Sequence, residues 1–491
     1  MSLCWFLFRV IPKPIRATYP CQQAAFPVTS TFVLWLLGLK CGLRTWLDIN
    51  NRAKRLGSAL TITCLVCLVA LAAIAAVPKI FTTRFEPNTP KGVGRGIFPG
   101  RVAWVHNTNA VSWSSGNYWW NDKYNNQPVI DDMVSQAVQC VAGQKDAAAA
   151  WAAIFHNFNQ QHHKGDVGYV ASEKIAIKIN QNNHDVGTGN DNNQIDASPH
   201  MVLALLKSLI NQAGVTPGNI TVFDASRRIP DSTYNKCHGF FPEVVFVDHI
   251  GGNGRVAATY VANAIPFSKP TALATGLATC VVQADYVINM ALLKAHYATG
   301  VTLCGKNFYG ATSIDWSPPK NFAGHDFFNH DKNGRATYMP FVDFMGHKDL
   351  GGKTLLFMLD GLYSCKGVNG EPGPKWQMPP FNNAWPASLF VSQDGVAVDS
   401  VGVDFLAAEW PGNWDMAYCD TYLDEAAMIP HPPSGTLYKP DGVTILTNSL
   451  GVHEHWNNSV SKQYSRNLGT GSGIELVLTE SSILSSSRSA R

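Results

Sequence analysis

Residues 284–296 read ADYVINMALLKAH, and how this stretch is read decides the fold. Between Asp285 and Lys294 the only polar residue is Asn289. A run of that length suits a strand better than a helix. Unbroken apolarity, rather than alternation, marks a strand covered on both faces. The theme of an apolar run ending in polar residues recurs in EKIAIKIN (173–180), NITVFDAS (219–226), KTLLFMLDGL (353–362) and ASLFVSQD (387–394). RVAWVHN (101–107) reads as a first strand.

Helical patterns fall between these runs. IDDMVSQAVQCVAG (130–143) has helical period, and residues 198–215 form an amphipathic helix with Ser198 as N-cap. Residues 394–410 predict another helix. Strands alternating with helices give an α/β class with a mainly parallel sheet and helices on both faces. In such sheets ligands bind beyond the carboxyl ends of the strands. If all the strands are parallel, Asn180, Asp224, Asn289 with Lys294 and His296, Asp360, and Asp394 converge on one edge.

The richest of these ends is LLKAHYATGVTLCGKNFYGAT (292–312). Lysine is rarely buried without a partner, so Lys294 and Lys306 imply acidic neighbours, a bound anion or a rim position. The functional reading is capture of a carboxylate or phosphate by the lysines, with His296 as acid, base or ligand. The competing reading is a set of structural ion pairs with a capping histidine. The resulting candidates for catalysis are His296, Lys294, Asp360 and Asp394; those for ligand binding are Lys178, Asn180, Lys306, Asn307 and Asp224. Cys304 reads as a small core residue before a reactive thiol.

Other groups admit metal. Asp185, Asn190, Asp191, Asn193 and Asp196 form an oxygen-rich run without the EF-hand pattern, which favours a solvated or ligand-closing loop over calcium. His156, His162 and His163 lack the spacing of a zinc helix. His453 and His455 alternate as on a strand, so both face one way with Glu454 opposite, and can share a metal. No metal or other cofactor is specified by these patterns.

With 46% hydrophobic and 15% charged residues in 491, the chain can build a large core. The net charge of +3 and the lack of a basic block in the region after residue 80 exclude an electrostatic nucleic-acid footprint. Cys140, Cys237, Cys280, Cys304, Cys365 and Cys419 are too scattered for a ferredoxin-type cluster, though an exported domain can pair some as disulfides. There is no G-x-S-x-G elbow, P-loop or dinucleotide fingerprint.

Residues 58–78 hold no charge over a length that spans a bilayer as a helix. Arg52, Lys54 and Arg55 precede the run, which predicts a cytoplasmic start and an extracytoplasmic remainder. More than fifty residues before it argue for an uncleaved anchor rather than a signal peptide. Two shorter apolar stretches, MSLCWFLF at the start and residues 26–39, leave the topology before residue 50 open. The expected organisation is a membrane-anchoring region of transmembrane or apolar helices (1–80), a linker (81–100), an α/β domain (101–473) and a polar tail (474–491).

KIN at 178–180, DASPHMVLALLKSLINQAGV, NITVFDASR, LLKAH, GVTLCGKNFYG and SQDGVAVDSVGVDFLA together resemble the motif series of a bacterial and archaeal family. That family is known as domain of unknown function 362. The resemblance spans roughly residues 101–473, and the N-terminal segment resembles that of the family's membrane-anchored branch. Some relatives carry ferredoxin segments, which implies redox company; this chain lacks their cysteine series. The expectation is a protein tethered in the cytoplasmic membrane with its soluble domain outside. It would be an enzyme binding an anionic small molecule through lysines and a histidine. A non-catalytic ligand- or metal-binding receptor is the alternative, and an electron-transfer partner ranks third. Oligomeric state is left open.

Overall fold

The computed structural model describes residues 89–184, 191–314, 335–411, 418–457 and 460–480. The apolar stretches before residue 80 lie outside the described residues. Among the described residues no helix is long and apolar enough to cross a membrane.

The strands are β1 (Arg101–His106), β2 (Ile175–Lys178), β3 (Ile220–Asp224), β4 (Val245–Asp248), β5 (Val256–Ala257), β6 (Tyr286–His296), β7 (Thr354–Cys365), β8 (Ser388–Ser392) and β9 (Glu475–Glu480). They lie in the order β9-β1-β8-β7-β6-β2-β3-β4-β5, and a short return at Gly300–Val301 pairs with the end of β6 as a tenth strand. All neighbours on the main path are parallel except those of β8, which runs against both β7 and β1. The protein is therefore α/β with a large, mostly parallel sheet. Residues 475–480, read from the sequence as the start of a polar tail, instead form a parallel edge strand beside β1.

Helices α1 (Gln127–Ala142), α2 (Ala147–Gln161) and α3 (Pro199–Lys207) contribute to one apolar core, joined by Tyr286, Ile288 and Met290 of β6. On the other face the core includes Val287, Ala291, Leu293 and Ala295 of the same strand. That face is covered by α5 (Cys304–Asn307), α6 (Pro340–Gly346), α7 (Gly395–Glu409) and α8 (Thr421–Ala427); helix α4 (Asp231–His238) flanks α3. The period of two along β6 thus sends alternate side chains into two separate cores. Every residue of β6 and β7 is buried, as their unbroken apolar runs imply.

The helix ends follow local chemistry. Ser198 caps α3 by accepting from His200 N, with Pro199 at the first helical position, where a missing N–H costs nothing. Asp394 caps α7 by accepting from Val396 N and Ala397 N. The helix after Ser198 is regular only to Lys207 and then widens into a π turn, Ser208–Gln212.

Candidate functional site

Strand β2 ends at Lys178, which lies level with Asn289 of β6 on one side and Phe223 of β3 on the other. Its neighbour two residues back, Ala176, belongs to the core on the α7 face, so Lys178 points to that face too. There the short helix α5 delivers Asn307 across the strand ends. Asn307 Nδ2 donates to Asn289 Oδ1 at 2.8 Å, and its Oδ1 accepts from Lys178 Nζ and from Asn180 Nδ2, each at 3.3 Å. Asn289 is itself held, donating to Cys304 O at 2.9 Å. One asparagine therefore locks α5 to two strands.

Lys178 Nζ is almost fully buried and lies 3.2 Å from Asp224 Oδ2, while also donating to Ile179 O. Asp224 is saturated: Oδ2 accepts from Gln181 N at 2.9 Å, and Oδ1 from Ser226 N and Oγ at 3.1 and 2.9 Å. Burial lowers the proton affinity of Lys178 while Asp224 raises it, and burial wins. A cleft of about 30 Å³, room for a water-sized group, opens among these residues and is also lined by Lys306, Tyr309 and Gly310.

Lys306 differs from Lys178 in what surrounds it. It is 7% exposed, and its ammonium makes no hydrogen bond or ion pair among the described residues. Burial first, then the charges of Lys294, Arg227 and Lys178, pull its ammonium down to about 7; Asp224 opposes this only in part. Burial also pushes the Tyr309 phenol up to about 12, so at neutral pH it keeps its proton. The cleft thus gathers cations faster than it gathers carboxylates.

Of the residues singled out from sequence, Lys178, Asn180, Asp224, Lys306 and Asn307 share this cleft. Lys294 lies on the opposite face of β6, in keeping with its even position along the strand. It is fully buried and donates to Val368 O at 3.2 Å and Ile195 O at 3.4 Å. It nevertheless acts on Lys306 through its charge. His296 ends β6, where its Nδ1 accepts from Ala298 N at 3.0 Å, and does not line the cleft. Asp360 accepts from Ser198 N and Leu362 N, tying the start of α3 to β7; burial pushes its carboxyl up to about 6.

Asp394 does not join the others. Because β8 is antiparallel, Ser392 lies level with Phe357 in the first half of β7, so residue 394 emerges at the amino edge of the parallel strands. Its carboxylate there also accepts from Arg95 N and Val452 N. The expected convergence of all strand ends on one edge is corrected at this one strand.

Other sequence candidates disperse or sink. His156 pairs with Asp166 at the surface, and His162 stacks on Phe158. Asp191 accepts from Ser232 N and Asn193 from Trp119 N, so these oxygens do not meet; Asp185 and Asn190 lie outside the described residues. Cys304 is buried, and burial with the adjacent Asp399 pushes its thiol well above its usual value, so it serves the core. The six cysteines of the described region are all free thiols, without the disulfides that export would permit. His453 and His455 are both buried.

Several residues at the site were not singled out as candidates. Ser226, Tyr309 and Gly310 line it beside the chosen ones, and each lies within three residues of a chosen candidate in sequence. Asp399 holds the start of α5 from a different helix, a long-range contact that no local pattern announces. His184 Nδ1 lies 2.6 Å from Asp196 Oδ2, a buried pair two residues beyond cleft-lining Asn182. Asp196 had been grouped with the calcium-like run instead.

No curated protein and no solved structure matches the chain. A family model described as Domain of unknown function (DUF362) matches residues 175–404, the segment from β2 into α7 that holds the whole cleft, and this segment belongs to that family.

Proposed function

We propose that the cleft at the ends of β2 and β3 binds the anionic group of a small molecule, a carboxylate or phosphate, with Lys306 as its charge partner. The observation that carries this reading is the state of Lys306: a lysine 7% exposed, its ammonium without a hydrogen bond or ion pair among the described residues. A buried ammonium without a partner is costly, and an anion in the cleft would remove that cost. Room for a water-sized group suits the anionic end of a ligand whose remainder lies outside. An amine poised at about 7 can also exchange a proton at neutral pH, which favours an enzyme over a passive receptor. Lys178 and Asn307 then orient the group, and Lys294 adds field without contact.

The charge-free run at 58–78, with basic residues before it, supports tethering to the cytoplasmic membrane with this domain on the extracytoplasmic side. Protease protection of the full chain in spheroplasts tests that arrangement: degradation of the domain only after the cytoplasmic membrane is lysed would overturn it.

The site is tested by mass spectrometry of small molecules co-purifying with the full chain in detergent. Wild type should retain an anionic species that Lys306→Ala loses. Equal retention by both would refute the lysine-centred site. Turnover of the retained species by wild type, lost in the variant, separates enzyme from receptor.

A further inference from the structure

A second cluster lies outside the segment that matches the family. His453 belongs to a two-residue strand, Val452–His453, paired antiparallel with Lys91–Gly92. His455 follows two residues later. The rings are nearly perpendicular, with centroids 4.9 Å apart. Asp420, just before α8, completes the group, and one ligand atom from each of the three lies within 4.8 Å of the others. Exposure is 0% for His453 and 3% for each of the other two.

Helix α7 orients both imidazoles. Ser400 and Asp404 are four residues apart and so share one face of it. Ser400 Oγ donates its proton to Val396 O at 2.7 Å, so toward His453 Nδ1, at 2.8 Å, it acts as acceptor. That places the proton of His453 on Nδ1 and leaves Nε2 with a bare lone pair. Asp404 Oδ1 lies 2.7 Å from His455 Nδ1 and fixes that ring in the same sense. A carboxylate or hydroxyl behind the far nitrogen of a histidine is the arrangement that turns its near nitrogen into a metal ligand.

Two atoms of the cluster are buried without a hydrogen-bond partner: His453 Nε2 and Asp420 Oδ1. The other oxygen of Asp420 accepts from Arg335 at 2.7 Å and lies 3.6 Å from His455 Nε2, while Oδ1 has no hydrogen bond. Asp424 Oδ1 stands 3.5 Å from His453 Nε2 and supplies a nearby fourth oxygen. Leaving two such buried atoms unsatisfied is destabilising.

We propose that Asp420, His453 and His455 bind one divalent cation of the zinc type, with Asp424 as the adjoining fourth ligand. Two imidazoles with carboxylates favour zinc or a similar d-block ion over calcium or magnesium, which take oxygen ligands. Around a tetrahedral ion with bonds of about 2.0–2.2 Å the ligand atoms lie about 3.3–3.6 Å apart, so loading would draw the triad inward. Burial of all three ligands suits a structural ion. It would fasten the segment at Lys91–Gly92 and the start of α8 to α7, at a place distinct from the anion cleft.

The test uses the full chain, purified in detergent without a histidine tag, stripped with chelator and confirmed folded by circular dichroism. Titrated with zinc and then desalted, wild type should retain about one ion per chain and melt at higher temperature when loaded. Cobalt in place of zinc should give visible absorption bands of a tetrahedral site. His453→Gln and His455→Gln should lose both signals, while Lys306→Ala keeps them. A folded wild type that retains less than about a tenth of an ion and shows no cobalt bands overturns the proposal. So does stoichiometric zinc in His453→Gln.

Discussion

Gly310 leaves the space that the Lys178 ammonium occupies: a Cβ at position 310 would stand 2.7 Å from Nζ and 3.0 Å from Asp224 Oδ1. The lysine tip cannot simply swing aside, since Asp224, Asn307 and Ile179 O already fix it. Gly310→Ala should therefore pry Lys178 from Asp224 and cost about 1–3 kcal/mol. Urea unfolding measures the loss, and isothermal titration with the retained anion should show weaker binding. Unchanged values in both would mean that the ion pair tolerates displacement.

Lys306 gives the chain a pH dependence of definite sign. Its folded-state value is about 7 against an ordinary 10.5. Between these values the unfolded chain holds a proton that the folded chain has released, so this group makes stability rise with pH through that window. Below it, both states are protonated and the full cost of burying the charge is present. Lys306→Met should accordingly exceed wild type in stability near pH 6, with the gap closing toward pH 10. Urea midpoints across that range check it; parallel curves would show that Lys306 is not destabilised by burial. Anion binding should act the other way, by drawing a proton onto Lys306 near pH 8.

How far the site could be read from sequence depended on how local its causes are. The unbroken run at 286–293 announced a strand buried on both sides, and both cores are there. Lys178 and Asp224 were legible because parallel strands deliver their ends together, and Lys306 and Asn307 because they follow the end of β6 closely in sequence. Lys294 was chosen for its charge, yet its even position on β6 sends it to the other face. The direction of β8 was not legible, since an apolar run reads the same either way, and that direction took Asp394 elsewhere. Likewise, the short run ELVLTE at 475–480 was absorbed into the Ser-rich tail that follows it, although it forms an edge strand, which exposes one side and needs less apolar sequence.

Asp399 should act as a positioning residue for the cleft. It accepts from Cys304 N at 2.9 Å, Gly305 N at 2.8 Å and the Tyr422 hydroxyl at 2.8 Å, and so fixes the turn that carries Lys306. Asp399→Ala leaves three buried donors unsatisfied, at about 1–3 kcal/mol each before relaxation. Anion affinity should fall although Asp399 does not line the cleft. Asp399→Asn, which keeps one acceptor oxygen, should recover part of both losses. Full affinity in the alanine variant, measured by titration calorimetry, would separate Asp399 from the site.

Asp394 should behave in the opposite way. Its carboxylate receives four backbone N–H groups, from Arg95, Val396, Ala397 and Val452, and so joins the start of α7 to two distant segments. Loss of a capping carboxylate costs about 0.5–2 kcal/mol, and the two further donors, of which Val452 N is buried, add to that. Asp394→Ala should therefore lower the urea midpoint clearly. Anion retention per folded molecule should stay at the wild-type level, because the residue sits at the amino edge of the sheet, away from Lys178 and Lys306. A folded Asp394→Ala protein that loses its anion would put this carboxylate back among the groups that serve the cleft.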